Sequence, residues 1–293
     1  MSNSNDIILR GTFGNNSGRI FVANTHDTVN KAFEYHKTSP VMTAALGRTL
    51  TGAAMMGSML KGENDLLTIT IKGDGPGAGL TVTADSKARF KGYVYNPAVD
   101  MPLKPNGKLD VAGALGFGNM TVIKDLGLKE PYVGQIPLVS GEIAEDLTYY
   151  FAKSEQVPSA VALGVLVDRD YSVKQAGGFI IQMLPNAEDE MIDALEEKMR
   201  TLPSITQMLE QGMSCEDIMN ETVGSFAPVV IDKIPVEYYC NCDKERVEKA
   251  LVSVGRDELE DILKKDKQAT LHCHFCNKDY HFSEEDIRKI LAR

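Results

Sequence analysis

The sequence predicts an α+β protein in three parts. Alternating polar and apolar segments broken by glycines run through residues 1–185, which indicates a large, mainly antiparallel sheet packed with helices. Residues 186–231 are acidic, rich in methionine and helical in pattern, which indicates a helical linker. Residues 232–293 hold four cysteines in two close pairs, which indicates a small zinc-binding domain.

The first part reads as strands with a few helices against them. Glycine-punctuated alternation predicts a meander of antiparallel strands, and runs of helix-forming residues predict the helices. The predicted strands include two within residues 7–24 and others at 66–72, 80–85, 88–95, 160–168 and 178–184, and the predicted helices cover 27–36, 40–60 and 142–153.

The glycine-rich stretch Gly73–Gly79 resembles a dinucleotide-binding fingerprint only superficially. That fingerprint needs a helix to follow, because the helix N-terminus holds the pyrophosphate. Here the next residues, Leu80-Thr81-Val82-Thr83, have the pattern of a strand. We therefore interpret the glycines as a turn.

Six of the 13 methionines fall between Met183 and Met219, and five of these lie in the linker. An amphipathic segment of this kind typically packs on a sheet. Flexible thioethers also allow such a face to detach and pack against varied apolar surfaces. The candidate residues for this second role recur on one helix face and are Met191, Ile192, Leu195 and Met199.

Composition narrows the class of protein. The chain has 293 residues, 43% of them hydrophobic, with a formal charge of −10, and no block of lysine or arginine forms a phosphate-binding stripe. Met1–Asp6 lacks a secretory signal pattern, and no apolar run approaches the roughly 18 residues of a membrane span. We expect a cytoplasmic protein without nucleic-acid or membrane partners, whose thiols are kept reduced.

The candidate metal ligands are Cys240 and Cys242, spaced C-x-C, and Cys273 and Cys276, spaced C-x-x-C. Four thiolates are the soft, tetrahedral ligand set of closed structural zinc sites. The segment 232–293 also holds 12 basic and 14 acidic side chains, so it can bury little apolar surface. Its fold should therefore depend on one bound Zn²⁺ per chain.

Other residues near the pairs have more ordinary interpretations. His272, His274 and His281 are solvated or support the ligands from outside, since four sulfurs already complete a tetrahedron. Cys215, alone in the linker, is interpreted as a small buried hydrophobic residue.

The same cysteines have redox chemistry. Zinc holds them as thiolates, the form that oxidants attack. Each pair is set for a local disulfide, Cys240 with Cys242 and Cys273 with Cys276. Such short loops gain little chain entropy, whereas the lost zinc contributes about 10–16 kcal/mol of apparent binding. Oxidation should therefore unfold the C-terminal domain and uncover whatever it covers.

Over essentially its whole length the chain resembles the redox-regulated chaperones of the thirty-three-kilodalton heat-shock protein family, and its mass of 32.1 kDa agrees. The paired cysteines carry the resemblance, and four further stretches support it. These are Glu245-Arg246-Val247-x-x-Ala250-Leu251, Tyr280-x-Phe282, Ser154-Glu155-Gln156-x-Pro158-Ser159 and Gly177-Gly178-Phe179.

The resemblance implies an ATP-independent holdase, not an enzyme, that is inactive while reduced and zinc-bound. Hypochlorous acid, or peroxide with heat, would release the zinc, form the two disulfides and loosen the linker. The exposed surface would bind unfolding client proteins, and the oxidised form would be a homodimer. The sequence has no G-x-x-x-x-G-K-[ST] motif for ATP.

Two other classes remain open from the residues alone. One is a constitutive structural zinc-ribbon module that binds RNA or a protein partner, although the acidic balance disfavours RNA. The other is a zinc enzyme, but catalytic zinc keeps an open position, and neither H-E-x-x-H nor G-x-S-x-G occurs in the sequence.

Overall fold

The computed structural model describes residues 5–292, so most of the N-terminal segment Met1–Asp6 lies outside the described residues. The chain forms two compact units divided between Tyr239 and Cys240. The strands of the first unit are β1 (Ile7–Phe13), β2 (Gly18–Asn24), β3 (Leu66–Gly73), β4 (Gly79–Asp85), β5 (Arg89–Val94), β6 (Gly118–Asp125), β7 (Tyr132–Pro137), β8 (Ser159–Val167), β9 (Val173–Met183), β10 (Val229–Pro235) and β11 (Glu237–Tyr238).

In the first unit, a π-helical turn over Phe151–Glu155 directly follows the helix Ala144–Tyr150. None of the helices within residues 5–292 combines the length and apolarity needed to cross a bilayer. The helices are α1 (His26–His36), α2 (Pro40–Gly57), α3 (Val111–Leu115), α4 (Ala144–Tyr150), α5 (Asp189–Thr201), α6 (Ile205–Glu210) and α7 (Cys215–Val223).

The strands are divided between two sheets, whereas the sequence pattern suggested one large sheet. Sheet 1 has the order β10-β1-β2-β9-β8 and is antiparallel throughout. Sheet 2 has the order β11-β5-β4-β3-β6-β7, and its pairs are antiparallel except β11 with β5. The predicted α+β class with mainly antiparallel sheets is confirmed.

Helix α2 lies between the two sheets and separates them. Sixteen of its 18 residues are buried, because it packs on strands of both sheets at once. Small residues allow this approach: a Cβ at Gly47 would lie 2.6 Å from Val29 and 2.8 Å from Val165. An apolar helix of this kind belongs in a core. The predicted helix over 40–60 is thus the central layer of the unit.

Helices α5, α6 and α7 cover the other face of sheet 1. Alternate strand residues separate the two faces: Ile8 and Phe21 pack in the core with α2, whereas Leu9 and Ile20 pack with α5–α7. Ser214 begins α7 with a reciprocal capping box that Asp217 completes. The helices of the segment 186–231 are therefore docked on sheet 1 in this structure, and its last residues, 229–231, belong to β10 of that sheet.

The predicted part boundaries, 1–185, 186–231 and 232–293, stay predictions. By its contacts the chain up to Tyr239 forms one unit, because β10 pairs with β1 in the register Ile7↔Pro235 and β11 pairs with β5. Sequence alone did not indicate these two strands, since their partners lie far away along the chain.

The second unit contains α8 (Lys244–Val252), α9 (Arg256–Lys265), β12 (Ala269–Cys273), β13 (Lys278–Phe282) and α10 (Glu284–Leu291). Ser283 and Asp286 form a reciprocal capping box at the start of α10. The core is small. Its buried hydrophobic side chains are Leu251, Leu259, Tyr280, Phe282, Ile287 and Ile290.

Candidate metal centre

The four cysteines of the second unit converge from two short segments. Cys240 and Cys242 precede α8, whose first turn Asp243 caps by accepting a hydrogen bond from the Arg246 amide. Cys273 ends β12, and Cys276 lies in the turn that leads into β13. The Asn277 amide donates to the Cys273 carbonyl at 2.9 Å, and Asn277 has a φ of 54°. The tight turn brings the second pair of sulfurs to the first.

The sulfur atoms lie as close together as ligands of one ion. Sγ of Cys240 is 3.4 Å from Sγ of Cys242 and 3.7 Å from that of Cys273, and Cys242 is 3.3 Å from Cys276. All four fall within 4.8 Å of one another, and each residue is half-buried. Zn–S bonds of about 2.3 Å in a tetrahedron give S···S separations of about 3.8 Å. The four residues could hold one soft divalent cation.

The environment makes the thiols unequal. Burial acts to raise the pKa of Cys242, but hydrogen bonds from the Tyr280 hydroxyl and the Cys276 and Cys240 thiols outweigh it and lower that pKa to about 7. Burial raises the pKa of Cys240 to about 11, and burial and a hydrogen bond to Cys242 raise the pKa of Cys276. Cys242 is the most easily ionised of these three thiols.

The three histidines of the second unit lie outside the sulfur cluster and are exposed. Nδ1 of His272 is 2.7 Å from Asp279, and Nδ1 of His281 is 2.9 Å from the Thr270 hydroxyl. The His274 ring packs edge-on against His272 at 5.3 Å. Among the described residues, the cluster that could hold a metal ion therefore consists of the four cysteines and includes none of these histidines.

Tyr280 is the residue near the cluster to which the sequence assigned no role. Its hydroxyl lies 3.1 Å from Sγ of Cys242 and 3.0 Å from the Cys242 carbonyl oxygen. Its alternation with Phe282 along a strand was the available signal, but a strand pattern does not identify the partner of a hydroxyl. Lys244 also joins α8 to α10 through Asp286 at 3.0 Å.

The predicted candidates for binding apolar surfaces lie on α5. Leu195 is buried, and Met191, Ile192 and Met199 are half-buried against the apolar face of sheet 1. This face of α5 is therefore turned toward the sheet. Cys215 is buried as predicted, and burial raises its pKa to about 12.

Together, the fold and the site define a class of protein: an α+β domain with a separate module that has a small hydrophobic core and four clustered thiols. The family model for the Hsp33 protein matches residues 6–283. The chain is 56% identical over 289 residues to a 33 kDa chaperonin of Lachnoclostridium phytofermentans, covering 99% of each. It is 54% identical over 287 residues to that of Clostridioides difficile, covering 98% of each.

Comparison with a solved structure indicates the same family as these relatives. The crystal structure of the 33 kDa chaperonin from Thermotoga maritima matches with a TM-score of 0.92 at 40% identity, covering 99% of this chain and 98% of that one. The chain belongs to the Hsp33 family and is a chaperone of the Hsp33 type.

Proposed function

We propose that this protein is a redox-regulated, ATP-independent holdase chaperone of the cytoplasm. In the reduced state Cys240, Cys242, Cys273 and Cys276 bind one Zn²⁺, and the chaperone is inactive. Oxidation forms disulfides, releases the zinc and unfolds the second unit and the linker. The exposed surface then binds unfolding proteins. We infer no enzymatic activity and no nucleic-acid or membrane partner, and we expect the oxidised form to be a homodimer.

The proposal is supported most strongly by the convergence of four sulfurs in a unit that has only a small hydrophobic core. Six buried hydrophobic side chains form the hydrophobic core of residues 240–292. A structural zinc contributes about 10–16 kcal/mol of apparent binding, whereas whole domains are stable by about 5–15 kcal/mol. Loss of the ion therefore removes more free energy than the folding stability of such a unit, and the unit should unfold.

The electron balance of the switch is simple. Two molecules of hydrogen peroxide accept four electrons from the four thiolates, four protons from solvent complete four waters, and Zn²⁺ is released. The sulfur distances do not choose the pairing, since Cys242 is as near to Cys276 as to Cys240. The pairs Cys240 with Cys242 and Cys273 with Cys276 are favoured because they alone stay close once the unit opens.

The linker supplies the surface that oxidation would uncover. Helices α5–α7 cover apolar residues of sheet 1 and themselves contribute a methionine-rich layer. Detachment would expose both faces, and flexible thioethers suit clients of varied shape. The candidate contacts on the helix are Met191, Ile192, Leu195 and Met199, opposite Leu9, Phe13, Ile20, Val22, Phe179 and Ile181 of the sheet.

The proposal predicts a gain of holdase activity on oxidation. Treating the reduced, zinc-loaded protein with peroxide under mild heating should release one zinc per chain, because oxidised sulfurs no longer bind the ion. Zinc is measured with a chromophoric chelator, and light scattering follows aggregation of a chemically denatured client. Untreated protein is the control. Equal suppression of aggregation before and after oxidation would leave only a constitutive structural metal site.

A further inference from the structure

The Tyr280 side chain gives Cys242 a hydrogen bond that distinguishes it from the other three sulfurs. Tyr280 lies on β13 and is buried, with its hydroxyl 3.1 Å from Sγ of Cys242. A phenol has one proton, which it donates either to this sulfur or to the Cys242 carbonyl oxygen at 3.0 Å. When the sulfur is a thiolate, the charged acceptor makes the stronger hydrogen bond.

Within residues 5–292, the Tyr280 hydroxyl hydrogen-bonds to one of the four sulfurs, that of Cys242. Backbone amides contribute at two of them: the Cys242 amide hydrogen-bonds to Cys240 and the Lys278 amide to Cys276. The sulfurs of Cys240, Cys273 and Cys276 each lie within hydrogen-bond distance of another cysteine sulfur. A substitution at position 280 therefore changes the surroundings of one sulfur directly.

A donated hydrogen bond spreads the negative charge of a thiolate and weakens its attack on an electrophile. We propose that Tyr280 is a positioning residue that shields Cys242 from oxidants and electrophiles by holding its sulfur in a hydrogen bond. The proposal rests on the metal site of the proposed function. Tyr280 thereby makes the four metal-binding thiolates unequal in their sensitivity to oxidation.

The reaction that the hydrogen bond slows is nucleophilic attack by sulfur. With hydrogen peroxide, a sulfur lone pair forms a bond to one oxygen, the O–O bond breaks, and hydroxide leaves and takes a proton to become water. The sulfur is left as a sulfenic acid. The hydrogen bond stabilises the charged thiolate more than the transition state, in which negative charge has begun to move to oxygen, so the barrier at Cys242 rises.

The test compares Tyr280→Phe with the unmodified full-length chain, both reduced and zinc-loaded. Each is treated briefly with N-ethylmaleimide, and peptide mass spectrometry of singly alkylated chains gives the initial rate at each cysteine. We expect the Cys242 rate to rise about three- to tenfold, because a Brønsted slope of about 0.4–0.5 passes on part of the hydrogen-bond energy. The other three rates should change less than twofold.

The matched control is Phe282→Leu on the same strand. Phe282 is buried in the same small core and has no hydroxyl of its own, so its substitution loosens the unit without removing the Tyr280 hydroxyl. It should raise all four rates alike. If Tyr280→Phe also raised them alike, or left the Cys242 rate unchanged, Tyr280 would have only a structural role and the proposal would be wrong.

A second variant covers the case in which Tyr280→Phe does not fold. Placing 3-fluorotyrosine at position 280 keeps the ring and makes the hydroxyl a stronger donor, so alkylation of Cys242 should slow selectively. An unchanged or faster Cys242 rate would contradict the proposal. Zinc content distinguishes failure of the proposed metal site from failure of the proposed role of Tyr280. Metal-free unmodified protein would refute the metal site itself, whereas unselective alkylation rates with zinc bound would refute only the role of Tyr280.

Discussion

Replacing Cys276 with serine is expected to release the zinc and unfold residues 240–292, while residues 5–185 remain folded. Serine does not replace a thiolate as a ligand for a soft ion, and most of the roughly 10–16 kcal/mol of apparent metal binding is lost. The remaining core of the second unit is small. Zinc analysis measures the first effect, and amide hydrogen exchange resolved along the chain measures the second.

Cys215→Ser is the matched control for this prediction. It makes the same chemical change at a buried cysteine of the first unit, where the thiol lies in the apolar layer between α7 and sheet 1. This variant should keep one zinc per chain and normal exchange protection in residues 240–292. Stoichiometric zinc in Cys276→Ser would show that the ligand assignment is wrong.

Replacing Ile218 with aspartate is expected to activate the reduced, zinc-loaded protein. Ile218 is fully buried on α7 against sheet 1. A buried carboxylate without a partner costs about 3–5 kcal/mol, which is enough to detach short helices held by one apolar layer. We expect suppression of client aggregation without oxidant, measured by light scattering, together with faster proteolysis within residues 186–231.

Asn220→Asp adds the same charge at an exposed position of the same helix. It should leave the reduced protein inactive and resistant to proteolysis. If Ile218→Asp detached the helices, as proteolysis would reveal, yet gave no holdase activity, then the surface between α5–α7 and sheet 1 would not be the one that binds clients.

Several elements were predictable because their signals are local. The apolar run from Pro40 predicts a core helix, and α2 begins at that residue. The start of α10 was likewise readable from the spacing of Ser283 and Asp286, because a capping box joins residues three apart. The turn interpretation of Gly73–Gly79 also agrees with the structure, where β3 and β4 form an antiparallel pair.

Other features depended on partners far away in the sequence. β10 carries Val229, Val230 and Ile231, which are all exposed, so its polarity does not alternate as in a half-buried strand. It is a strand because the edge of β1 offers unpaired backbone groups. The pattern of 186–231 indicated helices but not how firmly they are held, since that depends on the apolar face of sheet 1.

The sequence by itself determined the chemistry of this protein: the two cysteine pairs, the charged segment that holds them and the methionine-rich helices before them. These features depend on residue type and short sequence spacing, so they can be recognised without knowledge of the fold. Only the tertiary structure decided that α2 separates two sheets, that β10 completes sheet 1 and that the Tyr280 hydroxyl meets Cys242. Each of these joins residues whose contact depends on packing of the whole unit, and no local pattern records such a contact.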